Sequence, residues 1–243
     1  MLKHFLRAAY HAMRPSSVRE YYRNYRFAQG AARFRREIAG IEDIDNLLAR
    51  VVGTGQLQSN QKAAEIGALL RLLNEMQPQR LCEIGAYHGG TLALFARIAN
   101  PSAKLLSIDL QYPWYLRRAY AALAGSGQRV KCLRADSHSP ETQRKVAKWL
   151  RGSMLDFLFI DGDHSLEGVK LDYEIYGQLV RPGGIIALHD IVPDYRTRFG
   201  LKTPADVGQV PTFWTALRRE HPEAMELVED PAQDGYGIGV LRK

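Results

Sequence analysis

The chain has 243 residues, 46% of them apolar, and a formal net charge of +7. That size and composition suit one main domain with a sizeable core. No run of about 18 apolar residues occurs, and no apolar stretch ends in a small-residue cleavage site, which argues against a membrane span or secretory signal and leads us to expect a cytoplasmic protein.

The charge is concentrated at one end. Residues 1–40 hold nine basic side chains against Glu20 and Glu37, whereas the rest of the chain balances 24 basic against 24 acidic groups. We therefore divide the chain into a basic amphipathic helical extension, 1–40, and a body, 41–243. Leu2, Phe5, Leu6, Ala9, Tyr10 and Met13 recur at helical spacing until Pro15. Ser17 and Glu20 have the form of a capping box for a second helix bearing Val18, Tyr21, Tyr22 and Tyr25. Three roles stay open for this arm: packing on the body or on a second subunit of a homo-oligomer, peripheral contact with a membrane surface, and nucleic-acid binding. The last is not expected, since Arg and Tyr interleave without a recognised nucleic-acid module.

In the body, helices are expected at about 41–51 and 60–76, separated by the turn Gly53-Thr-Gly55. Short apolar runs then follow at Arg80–Ile84, Lys104–Asp109, Val130–Arg134, Leu155–Asp161 and Gly184–Asp190, each separated by enough chain for a helix. That alternation predicts a parallel α/β sheet covered on both faces. An irregular stretch from Ile191 to Val210, a helix near 211–220, and runs at Ala224–Glu229 and Gly235–Arg242 complete the chain. The last two runs are too close for a crossover, so they should form an antiparallel hairpin at the sheet edge. Cys82 and Cys132 fall within apolar runs and lack metal or redox spacing, so they read as reduced core residues.

Ligands of open α/β sheets bind beyond the carboxyl ends of the strands, and here those ends are polar. The first strand ends in Glu83 and runs through Gly85, Tyr87, Gly89, Gly90 and Thr91, a turn in which backbone and a helix N-terminus can approach a nucleoside-like ligand. Asp109 closes the second strand where a ribose diol would need an acceptor, and Asp136 with Ser137 follows the third where an adenine amino group would. The spacing G-x-x-x-G-G departs from the G-x-G-x-x-G of nicotinamide enzymes.

Glu83 to Thr91, Asp109, Asp136-Ser137, the segment Phe159-Ile-Asp-Gly-Asp-His-Ser-Leu-Glu-Gly-Val169 and the run Pro182-Gly-Gly-Ile-Ile-Ala-Leu-His-Asp190 together resemble the class I methyltransferases. More narrowly they are similar to the branch of cephalosporin-hydroxylase-like proteins and macrolide sugar O-methyltransferases. The resemblance implies a Rossmann-like, mostly parallel seven-stranded sheet with an antiparallel C-terminal hairpin. It implies S-adenosylmethionine as cofactor, held by Glu83, Gly85, Tyr87, Gly89, Gly90, Thr91, Asp109, Asp136, Ser137 and Asp161.

Asp161 and Asp190 end what should be neighbouring strands, about 4.8 Å apart, so both could reach one cation. By resemblance, Asp161, His189 and Asp190 are metal ligands and His164 is the general base. His189 stands where relatives have an acid, which leaves Mg²⁺ and Mn²⁺ both open. Asp163 reads as a turn acid at the next helix. The resemblance implies O-methylation of a hydroxyl on a glycosyl or other polyhydroxylated small molecule, including a lipid-linked one. Two alternatives stay open: a non-heme metal hydroxylase using His164, His189 and one carboxylate, and a non-catalytic cofactor-binding subunit recruited by the basic arm. Tyr195, Arg196, Arg198, Phe199 and Lys202 in the Ile191–Val210 stretch, and Tyr112, Trp114 and Tyr115 after Asp109, are candidates to meet the acceptor, with packing of the core rim the alternative for these aromatics and for Trp214.

Overall fold

The computed structural model describes residues 29–51, 59–87, 89–111 and 120–243. The expected helices before residue 29, the turn Gly53-Thr-Gly55 and the aromatic group Tyr112, Trp114 and Tyr115 lie outside the described residues.

Residues 29–39 are helical. Two helices follow, α1 (Ile44–Val51) and α2 (Ala63–Met76), then β1 (Arg80–Ile84), α3 (Gly90–Ile98), β2 (Lys104–Asp109), β3 (Arg129–Arg134), α4 (Pro140–Leu150), β4 (Leu155–Ile160), α5 (Leu166–Gly177) and β5 (Val180–His189). The chain closes with α6 (Tyr195–Phe199), α7 (Val210–Glu220), β6 (Met225–Leu227) and β7 (Ile238–Arg242). The sheet order is β3-β2-β1-β4-β5-β7-β6. The first five strands run parallel, and β7 is antiparallel to both β5 and β6.

Alternate residues of the strands feed two cores, as a pleat of period two requires. Leu81, Leu105, Phe157, Phe159, Ile185 and Ala187 face one layer with α1, α2 and α3. Cys82, Leu106, Leu158, Ile160, Ile186 and Leu188 face the other, with α4, α5 and α7. Phe95 of α3 meets Phe157 and Phe159 edge-on at 5.0 and 5.2 Å, a geometry aromatic quadrupoles favour. Both cysteines are buried and neither forms a disulfide among the described residues. Ala31 and Ile38 are buried in the first core, so the described end of the basic extension packs onto the body.

Two local expectations need correction. The Ile191–Val210 stretch contains α6, which Asp194 caps by accepting a hydrogen bond from the Thr197 N–H. The last two strands are shorter and farther apart than their apolar runs suggest, because 228–237 is a connection anchored by side chains. β7 lies between β5 and β6, and β6 and β7 form the antiparallel hairpin expected at the sheet edge. Among the described residues no helix is long and apolar enough to cross a membrane.

The chain leaves β3 on one side of β1 and re-enters at β4 on the other, so the strand order reverses between β1 and β4. The crevice at that switch point is where the site residues gather.

Candidate active site

The turn after β1 uses backbone conformations that side chains resist. Gly85 has a φ of +81°, and a Cβ there would lie 1.9 Å from the Asp161 carbonyl oxygen, so this turn and the end of β4 touch backbone to backbone. Gly89 (φ +78°) precedes α3, and a Cβ there would meet the Tyr120 ring at 2.1 Å. No side chain caps α3 among the described residues, which leaves N–H groups of its first turn, at Gly90 and Thr91, for a ligand. The Thr91 hydroxyl is buried against Ser59, 3.1 Å away.

Glu83 is buried, with Oε2 accepting from the Ser107 hydroxyl at 3.0 Å and Oε1 lacking a partner. Burial pushes its carboxyl well above the usual range, opposed by the Ser107 bond. Asp109 accepts from the Ala86 and Tyr87 N–H groups at 2.9 and 3.0 Å through Oδ2, and from Gln111 N–H at 2.6 Å through Oδ1. The expected ribose acceptor thus also braces the glycine turn. Tyr87 stands 70% exposed, and its carbonyl accepts from the Tyr120 hydroxyl. Asp136 accepts from the His138 N–H at 2.9 Å, and the Ser137 carbonyl accepts from the Tyr176 hydroxyl at 2.7 Å, which fixes the turn into α4.

At the ends of β4 and β5, one donor atom each from Asp161, His164 and Asp190 lie within 4.8 Å of one another. His164 Nε2 is 3.6 Å from Asp161 and 3.7 Å from Asp190. Its Nδ1 meets the Asp206 carbonyl at 2.5 Å, so the Nδ1–H tautomer directs Nε2 at the carboxylates. Asp190 is held at φ 61°, a left-handed conformation unusual for a strand end. His189 is buried, with Nδ1 at 3.1 Å from Asp161 and 3.4 Å from Asp190 and Nε2 without a partner. The mutually close donor group found among the described residues is Asp161, His164 and Asp190, without His189. Asp163 accepts from the Ser165 N–H at 2.9 Å, at the start of α5.

The electrostatics alter what His164 can do. The Asp161 carboxylate beside its Nε2 and the Asp190 charge lift its pKa to about 9 against the opposing effect of burial. Burial alone would lower His189, but the charges of Asp161 and Asp190 carry it to about 10. Burial likewise opposes the ionised form of Asp161, yet the His189 and His164 charges hold it at about 2. With bare carboxylates, both histidines therefore hold a proton more tightly than a free imidazole does.

Sequence reasoning missed Gln61, Asp206 and Tyr236. Gln61, buried before α2, donates from Nε2 to Asp161 Oδ2 at 3.1 Å and leaves Oε1 without a partner. Nothing local marks it, since 100 residues separate the two groups. The acceptor candidates divide. Trp214 is core, donating to Glu226 at 2.7 Å, whereas Phe199 stands 63% exposed beside Tyr195. Arg196 and Arg198 donate to the carbonyls of Thr203 and Pro231.

Residues 82–191 match a family described as a methyltransferase domain. Catechol O-methyltransferase B of Danio rerio is 28% identical over 138 residues, 54% of this chain and 51% of that protein, so the chain spans about half the length of this curated relative. Among solved structures, the O-methyltransferase TomG from Streptomyces achromogenes, in complex with S-adenosylmethionine, superposes with a TM-score of 0.53 at 18% identity, covering 89% of this chain and 90% of that one. MycE methyltransferase of the mycinamycin pathway, in complex with Mg, S-adenosylhomocysteine and mycinamycin VI, gives 0.53 at 19% identity over 84% of this chain and 54% of its own. Residues 82–191 thus carry a methyltransferase-domain match, and the sheet has the fold of these methyltransferase structures.

Proposed function

We propose that the protein is a metal-assisted O-methyltransferase acting on a hydroxyl of a ring-shaped, polyhydroxylated small molecule such as a glycosyl group. The observation that carries this reading is the meeting of Asp161, His164 and Asp190 within 4.8 Å, beside the glycine turn.

The residues fit both groups the reading requires. Glu83 Oε1 and Gln61 Oε1 are buried acceptors without partners, as a site for a ligand rich in hydrogen-bond donors would have. Two carboxylates that raise the pKa of two facing histidines make a donor set in which a divalent cation can replace protons. Asp161 and Asp190 would hold that cation, with a histidine nitrogen in reach; carboxylate oxygens suit Mg²⁺, and an imidazole shifts the preference toward Mn²⁺. When bound, the cation supplies the charge that lowers an acceptor hydroxyl's pKa, and the sulfonium cofactor supplies the methyl group. The chain's own part is positioning and proton transfer. Gln61 fixes the Asp161 carboxylate, and the Asp206 carbonyl fixes the His164 ring. His164 Nε2 takes the acceptor proton once the charge on Asp161 and Asp190 is matched.

Calorimetric titration with S-adenosylhomocysteine, with Mg²⁺, Mn²⁺ or chelator, tests the reading when paired with assays of methyl transfer to catechol and to a methyl hexopyranoside. Cofactor binding and metal-dependent transfer to either probe are expected; no cofactor binding would overturn it. Within the same proposal, residues 1–28 serve a membrane or subunit contact, checked by vesicle flotation and solution mass of a chain starting at Gln29.

A further inference from the structure

Five described non-glycine residues have positive φ: Gln77, Tyr87, Arg151, Asp190 and Tyr236. Gln77 and Arg151 are ordinary left-handed helix C-caps, each N–H bonded to the carbonyl four residues back. The other three surround the site. Tyr87 belongs to the glycine turn and Asp190 to the carboxylate pair, while Tyr236 has no part in the chemistry derived above.

Tyr236 is the middle of three successive left-handed residues, with φ of 74° at Gly235, 63° at Tyr236 and 83° at Gly237. An aromatic side chain disfavours that conformation, and Gly or Asn would adopt it at less cost. The surroundings over-determine it. The buried Glu65 carboxylate accepts from the Gly237 N–H at 2.9 Å, from Gln233 Nε2 at 2.7 Å and from the Glu229 N–H at 3.3 Å. Gln233 Nε2 also donates to the Gly235 carbonyl at 2.8 Å, and the Val192 N–H donates to the Tyr236 carbonyl at 2.9 Å. Asp234 accepts from the Tyr195 N–H and from the Thr203 hydroxyl. A Cβ on Gly237 would meet Val192 at 2.6 Å, so the run is packed from both sides.

What this framework achieves is the placement of one ring. Tyr236 meets the His189 imidazole nearly edge-on at 5.9 Å, and Lys62 Nζ lies 5.8 Å over the tyrosine ring. The side chain is only partly buried, and its hydroxyl makes no hydrogen bond among the described residues. Strain of this kind persists where a function uses the geometry it holds.

We propose that Tyr236 is an acceptor-binding residue, whose ring stacks on a ring-shaped acceptor while the acceptor's hydroxyl reaches the Asp161 and Asp190 carboxylates. This rests on the O-methyltransferase reading. Lys62 is kept in place by Glu229 at 3.0 Å and Gln233 at 2.9 Å, so it braces the ring from the side of α2.

The test uses Tyr236→Asn, which removes the ring at a backbone position Asn tolerates, and Tyr236→Phe, which removes only the hydroxyl. Binding of catechol and of a methyl hexopyranoside to protein loaded with S-adenosylhomocysteine and Mn²⁺ is measured by calorimetry, independently of turnover. Tyr236→Asn should weaken binding of the better probe at least about tenfold. Its S-adenosylhomocysteine affinity should stay within about twofold of wild type, and its thermal midpoint should not fall. Tyr236→Phe should keep most of the probe affinity. A lowered midpoint with unchanged probe affinity would make the ring structural and overturn the proposal, as would failure of wild type to bind either ring. If wild type binds a probe without methylating it, the O-methyltransferase reading fails for that ring, while the affinity ratio of Tyr236→Asn still decides the role of Tyr236.

Discussion

His164 sits between two carboxylates and a backbone carbonyl, and each partner sets a different property. The Asp206 carbonyl chooses the tautomer, while Asp161 and Asp190 set how tightly Nε2 holds a proton. Because its Nε2 faces the Asp161 and Asp190 carboxylates, loss of its ring should leave cofactor binding intact and slow proton transfer. His164→Ala is expected to keep S-adenosylhomocysteine affinity in calorimetry and to lose about 10²–10⁴-fold in turnover. A variant of near wild-type rate would remove His164 as the base. Cation binding at pH 7 should also release protons from the histidine pair, detectable as a binding enthalpy that changes with the ionisation enthalpy of the buffer. Asp161 and Asp190 were legible as chemistry-bearing residues because they close apolar runs, and His164 through the resemblance. Their protonation was not, since it depends on distances between groups far apart in the chain.

Strand positions were legible wherever burial on both faces makes a run continuously apolar, as in Arg80–Ile84 and Lys104–Asp109, which begin and end where expected. Legibility failed where side chains from elsewhere hold the backbone. The 228–237 connection keeps its shape through Glu65 of α2, and no local pattern reports that. Helix starts are locally encoded where the cap is a neighbour: Ser139 and Ser165 accept from the N–H three residues on. The contact of α7 with β7 rests on a missing side chain, since a Cβ on Gly239 would lie 2.5 Å from the Trp214 ring. Gly239→Ala is therefore expected to destabilise the fold by about 1–3 kcal/mol through overpacking, read as a lower denaturation midpoint. An unchanged midpoint would show that Trp214 can shift without cost.

Over the whole molecule, the charge cluster at the strand ends couples stability to pH. His164 and His189 have pKa values raised from 6.5 to about 9 and about 10, so the stability they contribute is complete below pH 6.5 and lost as pH rises through those values. Asp161 is lowered from 3.8 to about 2, so its contribution is present above 3.8 and lost as pH falls toward 2. In chelator, the thermal midpoint should decline steadily from pH 6.5 to 10, and saturating Mn²⁺ should offset that decline by replacing the protons. A flat alkaline profile in chelator would contradict the arrangement. By itself the sequence determined the alternation of strands and helices, the layered sheet, the glycine turn and the acids at the strand ends, because burial, turn conformation and element length act through neighbouring residues. Only the tertiary structure decided that β7 lies inside the sheet edge, that Gln61 and Tyr236 border the site, and that the carboxylates raise both histidine pKa values. Those outcomes depend on groups that meet only after distant segments have packed, where local periodicity carries no information.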